Sequence, residues 1–462
     1  MTRTYTNPVY PRDFPDPFVL RFNGRYYAYA TGAAGDGRYF PMLSSRDLVS
    51  WEPHGGALDP LDLPGAEEYW APEVAYYEGR FYLYYAVGRG ENPDHHLRLA
   101  VAELPLGPWR DAGVNLTPGE IFAIDAHPFR DPKDGQWYLY YARDELEPPF
   151  AGTGVVVDRL LSMDRLEGNP RPVVRPYAGW QVFELQRAVK SGLDWYTVEG
   201  PFTLRVDDRY ICFYSGGRWE NPSYGVGFAC AGHPRGPWVD DVNAGGPRVL
   251  TTVPDRVIGP GHNSVVTGPD LVTQYIVYHG WDPGFTARFP RIDRLDWENG
   301  SPCVVRPSSD PMPVPPLPDL ADWFDESAPG THWGACEGWG RDEAGLNAAA
   351  DPASLVLAEP VGDFIAELSV RGPVTDLQVL APGLSVSIDH NALRAGDQAV
   401  QLPKGFRHDT WHVLSVQVRG GQVEAVLDAF LTVRCEAAAG SRVLEVEARP
   451  GTSLGHFALT RL

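Results

Sequence analysis

Asp134-Gly135-Gln136-Trp137-Tyr138-Leu139-Tyr140-Tyr141 is a polar turn that opens into an aromatic-rich run. The same pattern stands at Asn23-Gly24-Arg25-Tyr26-Tyr27-Ala28-Tyr29, at Glu78-Gly79-Arg80-Phe81-Tyr82-Leu83-Tyr84-Tyr85 and at Asp207-Asp208-Arg209-Tyr210-Ile211-Cys212-Phe213-Tyr214. A weaker copy is Leu271-Val272-Thr273-Gln274-Tyr275-Ile276-Val277-Tyr278. Asn-Gly and Asp-Gly suit tight hairpins, and aromatic runs fit the pleated surface of a sheet. Units of roughly 55 to 75 residues, each with a hairpin and a β-rich run, predict a radial array of small antiparallel sheets. Five units predict a five-bladed β-propeller over residues 1–306.

Outward from these repeats, sustained helical periodicity is absent, and short alternating runs bounded by Gly, Pro, Asn and Asp predict an all-β chain. At 462 residues the chain exceeds the size at which one core keeps growing, so a second domain is expected. Residues 307–319 hold Pro307-Ser308-Ser309-Asp310-Pro311-Met312-Pro313-Val314-Pro315-Pro316-Leu317-Pro318, a proline density that favours a stiff extended connector. Past it, residues 320–462 lose tyrosine and gain alternating strands with a Gly420-Gly421 hairpin, which predicts a β-sandwich similar to laminin-G or concanavalin-like domains. This domain is expected to pack on the propeller, stabilise it and lend a loop to the pocket rim.

A formal charge of −21 with no Lys/Arg cluster argues against a nucleic-acid partner. Five scattered cysteines without a Cys-x-x-Cys pair give neither a disulfide framework nor a zinc site. No stretch approaches the ~20 apolar residues of a membrane helix, so no membrane partner is expected. The first residues lack the apolar core of a signal peptide, so the expected location is cytoplasmic. Oligomeric state is not legible. His95-His96 and the Asp131/Asp134 loop read as surface turns.

A polar residue stands about seven to ten positions ahead of four of the turns: Asp16, Asp125, Glu199 and His262. The first strand of every propeller blade lines the central channel, so these four converge although far apart in sequence. Two Asp and one Glu brought together form an acid/base constellation.

The surrounding motifs are Asp13-Phe14-Pro15-Asp16-Pro17, Trp70-Ala71-Pro72-Glu73, Ile121-Phe122-Ala123-Ile124-Asp125-Ala126-His127-Pro128-Phe129-Arg130, Glu199-Gly200-Pro201, Gly259-Pro260-Gly261-His262-Asn263-Ser264 and Arg288 ahead of Trp297. Together, in this order on five repeats, they resemble glycoside hydrolase family 43, five-bladed enzymes that hydrolyse α-L-arabinofuranosides or β-D-xylosides with inversion. The resemblance implies Asp16 as general base, Glu199 as general acid, and Asp125 as the residue that holds the acid and raises its pKa. Inversion needs one carboxylate to deprotonate water while a protonated carboxyl, across the sugar, donates to the leaving oxygen. Trp70, Arg288, Phe14, Trp195 and Trp281 are the expected sugar contacts, joined by His262 in the channel. In many family members the equivalent histidine helps ligate a calcium ion with waters, or sits hydrogen-bonded under the sugar site, so a structural and mostly water-coordinated calcium at His262 is a further expectation. The chemistry itself needs no cofactor.

The leading expectation is an exo-acting α-L-arabinofuranosidase on arabinan or arabinoxylan oligosaccharides, with a β-D-xylosidase as runner-up. Arg130-Asp131-Pro132 also resembles a signature of retaining fructan hydrolases. However, Asp131 lies too close to the hairpin for a channel strand, and the acid motif is Glu-Gly-Pro, not Glu-Cys. A lectin-like propeller without turnover would be expected to lack one of the three acids.

Overall fold

The structure is a computed structural model that describes residues 3–90, 94–326, 329–342, 345–372, 377–437 and 440–462. The five aromatic runs each form the second strand of a blade. Their innermost partners are Phe18–Phe22, Glu68–Tyr77, Ala123–Arg130, Leu193–Val206 and Ile258–Thr267, paired antiparallel across the predicted hairpins. Blades one, two and five are separate four-stranded sheets. Blades three and four join into one ten-stranded sheet, because Gly152–Ser162 pairs in parallel with the start of Leu193–Val206. Among the described residues no helix is long and apolar enough to cross a membrane.

Aromatic wedges hold the blades together. Trp109 of blade two stands edge-on to Tyr29 of blade one, with ring centroids 6.1 Å apart, and Trp238 of blade four meets Tyr140 of blade three at 6.0 Å. Tyr29, Tyr84, Tyr85, Tyr140, Tyr214 and Tyr278 are fully buried. Burying a side chain of that size contributes roughly 1.5–3 kcal/mol. The ring closes through the N-terminal segment: the Asn7 side chain donates to the Ile292 carbonyl at 2.8 Å and accepts from the Ile292 N–H at 3.0 Å. Thr4–Tyr5 pairs with Met312–Pro313, so the proline-rich segment is packed and not loose.

Past it, two sheets face each other around a core that includes Leu355, Phe364, Val379, Val386, Leu414 and Val446. This β-sandwich docks on the hairpin turns of blades one to three. A Cβ at Gly24 would stand 2.2 Å from the His456 ring and one at Gly135 2.7 Å from the Phe430 ring, so these turn glycines also permit the close approach. Arg21 pairs with Glu367 at 2.5 Å, the Tyr76 hydroxyl accepts from the Trp411 N–H at 3.0 Å, and Arg130 lies 3.7 Å over Phe430. The hairpin turns are the ends of the inner strands remote from Asp16, Asp125 and Glu199. The sandwich therefore covers the opposite mouth of the channel, and the expected loop at the pocket rim is not what it supplies.

Candidate active site

The innermost strands do not run straight through the channel. Blades two to five each carry a bulge there, between Trp70 and Glu73, Ile124 and His127, Glu199 and Phe202, and Ile258 and Ser264. A bulge sets two residues against one and turns a side chain out of the ladder. The backbone is left-handed at these points: Ala71 (φ 41°), Asp125 (φ 59°), Gly200 (φ 56°) and His262 (φ 49°), matched in blade one by Asp16 (φ 53°) just before its strand. Such a conformation costs a non-glycine residue roughly 1–2 kcal/mol and collects where function demands it. These bulges bring Asp16, Asp125, Glu199 and His262 to one place, as the repeat offsets predict.

Asp16 is buried and braced on three sides. The Arg288 guanidinium donates to its Oδ1 at 3.1 Å, and His262 Nδ1 lies 3.5 Å from the same oxygen. His279 Nδ1 lies 3.1 Å from the Asp16 N–H and 3.2 Å from Oδ1, so either tautomer braces the residue. Burial alone would raise the Asp16 pKa. Arg288, then His262 and His279, overcome it and hold the carboxyl well below its ordinary value. The standing positive charge is that of Arg288, because burial pushes His262 down and His279 to about 4, leaving both imidazoles neutral near pH 7.

Glu199 has the opposite environment. Burial, with the Asp16 charge adding to it, pushes its pKa up to about 7 despite a hydrogen bond from the Tyr224 hydroxyl at 2.7 Å. Asp125 is pushed well above the carboxylate range by burial, then by Glu199 and Asp16. Its Oδ2 accepts from the Gly200 N–H at 2.9 Å, so it grips the backbone next to Glu199. Asp125 and Glu199 titrate as a pair that retains a proton at neutral pH, while Asp16 does not.

Trp70 is partly exposed and stacks on His95 with centroids 3.7 Å apart. Trp281 is partly exposed and stacks on Trp219 at 5.9 Å, and Arg288 sits 4.5 Å over Trp219, tying this aromatic pair to Asp16. Two expected sugar contacts are packing residues instead. Phe14 is 1% exposed in the core between blades one and five, and Trp195 is 2% exposed beneath Lys190. His95 is fully buried between Trp70 and Phe122, not on a surface turn. Asp131 is buried at the far end of its strand, where it accepts from the Tyr210 hydroxyl at 2.9 Å.

Calcium prefers six to eight oxygen ligands. His262 offers only nitrogen, its Nδ1 faces Asp16, and Asp16 is taken up by Arg288. Among the described residues no group of three or more His, Cys, Asp or Glu could hold a metal ion. The donor set does not fit a protein-built calcium site.

The sequence model of the glycosyl hydrolases family 43 matches residues 5–302, the whole propeller. The chain belongs to that family. A β-D-galactofuranosidase of Aspergillus niger is 30% identical over 308 residues, covering 63% of this chain and 80% of the relative. An extracellular exo-α-(1→5)-L-arabinofuranosidase of Cellvibrio japonicus is 26% identical over 300 residues, 58% of this chain and 79% of the relative. The crystal structure of a thermostable family-43 glycoside hydrolase superposes with a TM-score of 0.59 at 34% identity, covering 68% of this chain and 99% of that one. Within this family 43 propeller, Tyr224, His279 and Trp219 touch Glu199, Asp16 and Arg288, and sequence reasoning missed them because they carry no sequence signal.

Proposed function

We propose that this family 43 glycosidase is an inverting, exo-acting α-L-arabinofuranosidase on arabinan or arabinoxylan oligosaccharides. The observation that carries the mechanism is the split between the acids: Asp16 is held ionised by Arg288, and Glu199 keeps its proton up to about pH 7. Asp16 takes a proton from water as that water attacks the anomeric carbon, while Glu199 gives its proton to the departing glycosidic oxygen and the bond to the leaving group breaks. Asp125 holds the backbone next to Glu199 through the Gly200 N–H. These carboxyls suffice for the chemistry without a cofactor.

Arabinofuranosidase names among the relatives support the sugar assigned here. The galactofuranosidase relative favours a second reading, a β-D-galactofuranosidase, since both sugars are five-membered furanoses. The test is proton NMR of the products as the enzyme acts on arabino-, xylo- and galactofuranosyl oligosaccharides. Arabinose released first as the inverted anomer is expected. Xylose or galactofuranose as the product replaces the substrate, and a retained anomer overturns the mechanism.

A further inference from the structure

We propose that Glu73 and His127 are positioning residues that set the placement of Glu199 against Asp125, a proposal that rests on Glu199 as the acid. The innermost strands of blades three and four share no ladder of their own. Side-chain contacts join them instead. One is the Gly200 N–H donating to Asp125 Oδ2 at 2.9 Å, and the other lies deeper in the channel, where the Thr203 N–H donates to His127 Nε2 at 3.0 Å. His127 follows the Asp125 bulge, and Thr203 follows the Glu199 bulge. The imidazole also packs on Phe202, with centroids 4.6 Å apart, at the base of that second bulge.

An imidazole nitrogen that accepts from an N–H must present a lone pair, so the ring proton belongs on Nδ1. Nδ1 donates to Glu73 Oε2 at 2.6 Å. Glu73 thus selects the tautomer that can receive Thr203. Without it, a proton on Nε2 would face the Thr203 donor and could turn only to the Thr203 carbonyl, 3.4 Å away, so the tie to the strand behind Glu199 would weaken. All three groups are nearly buried, so water does not substitute freely. Glu73 also ends the bulge that carries Trp70, so a single pair connects that bulge of blade two to the strand behind the acid in blade four.

The test compares Glu73→Ala, Glu73→Gln and Glu73→Asp in the full chain on 4-nitrophenyl, phenyl and methyl glycosides of the sugar the wild type releases. A misplaced acid hurts poor leaving groups most. Glu73→Ala is expected to lower kcat on the methyl glycoside by about ten- to a hundredfold with KM changed less than ~threefold, and to lower it far less on the nitrophenyl glycoside. Glu73→Gln, whose amide oxygen still accepts from Nδ1, is expected to restore most of it. Glu73→Asp, one methylene short, is expected to fall between, and the Asp-against-Gln comparison decides if Glu73→Ala does not fold. Equal losses across leaving groups, a loss in KM alone or no loss overturns the proposal. Glu199→Gln is the control: if it still cleaves the methyl glycoside at the wild-type rate, the acid assignment fails and the tie between blades is a separate question.

Discussion

Arg288 is the standing charge that keeps Asp16, the proposed base, ionised. Asp16 is buried, and a buried carboxyl drifts toward the neutral form unless a charge holds it. Because Asp16 lies below its ordinary pKa and Glu199 rises to about 7, the rate on a poor leaving group should be flat through mildly acidic pH and fall above about pH 7. That alkaline limb belongs to the Asp125–Glu199 pair jointly. Arg288→Ala should move the acidic limb upward, since Asp16 would then protonate at higher pH, and move the alkaline limb upward too, since the same guanidinium also lowers Glu199; a pH–rate profile of the variant measures both. If the acidic limb stays where it is, Arg288 is not what keeps Asp16 ionised. Asp16, Asp125 and Glu199 were legible at this scale because their offsets from the hairpins repeat. Tyr224 and His279 were not, because His279 reaches the site from a second strand and Tyr224 from just ahead of a third, where the local sequence resembles ordinary packing.

Bulges are the elements that turn five inner strands into a site. Gly200 sits in the left-handed region, and a Cβ there would meet the His262 ring at 3.3 Å. Gly200→Ala should therefore cost about 1–2 kcal/mol of stability and shift Glu199 away from Asp125, lowering kcat by at least ~tenfold. Kinetics together with a melting curve check this, and full activity would show that the bulge tolerates a side chain. The hairpins were readable because turn chemistry is local: Asn-Gly and Asp-Gly carry the positive φ in the residues themselves. The bulges were not, because Ala71 and Asp125 take left-handed backbone under tertiary constraint, against their own preference. Phe14 was misread for a related reason. Beside the proposed base it reads as a pocket residue, yet its position just before Asp16 turns it into the packing between blades one and five.

At the scale of the molecule, the sandwich closes the channel mouth opposite the acids. The Arg21–Glu367 pair is the largely buried charged part of that contact, and Arg46–Asp325 is a more exposed one. Burial would raise Glu367, but Arg21, then His456, bring it down to about 2. Because the folded pKa lies below the unfolded value, the pair's stabilisation is present above about pH 4.5 and is lost as pH falls through about 2; its size is about 3 kcal/mol. Glu367→Ala should lower the urea midpoint by an equivalent amount at pH 7, and this deficit should shrink on acidification. An unchanged midpoint would mean that the Arg21–Glu367 pair adds nothing to the stability of the interface. A sandwich was readable from strand alternation, but its docking face was not, since Gly24 and Gly135 read equally well as free turns.

The sequence by itself determined the repeat, the all-β class and the three carboxyls, because hairpin chemistry and strand alternation are written within a few adjacent residues. Only the tertiary structure decided which neighbours hold those carboxyls in opposite protonation states, which aromatics face the pocket and which mouth of the channel the sandwich covers. Those depend on groups from separate blades meeting across a channel, where burial and charge at a few ångströms, not proximity along the chain, set the chemistry.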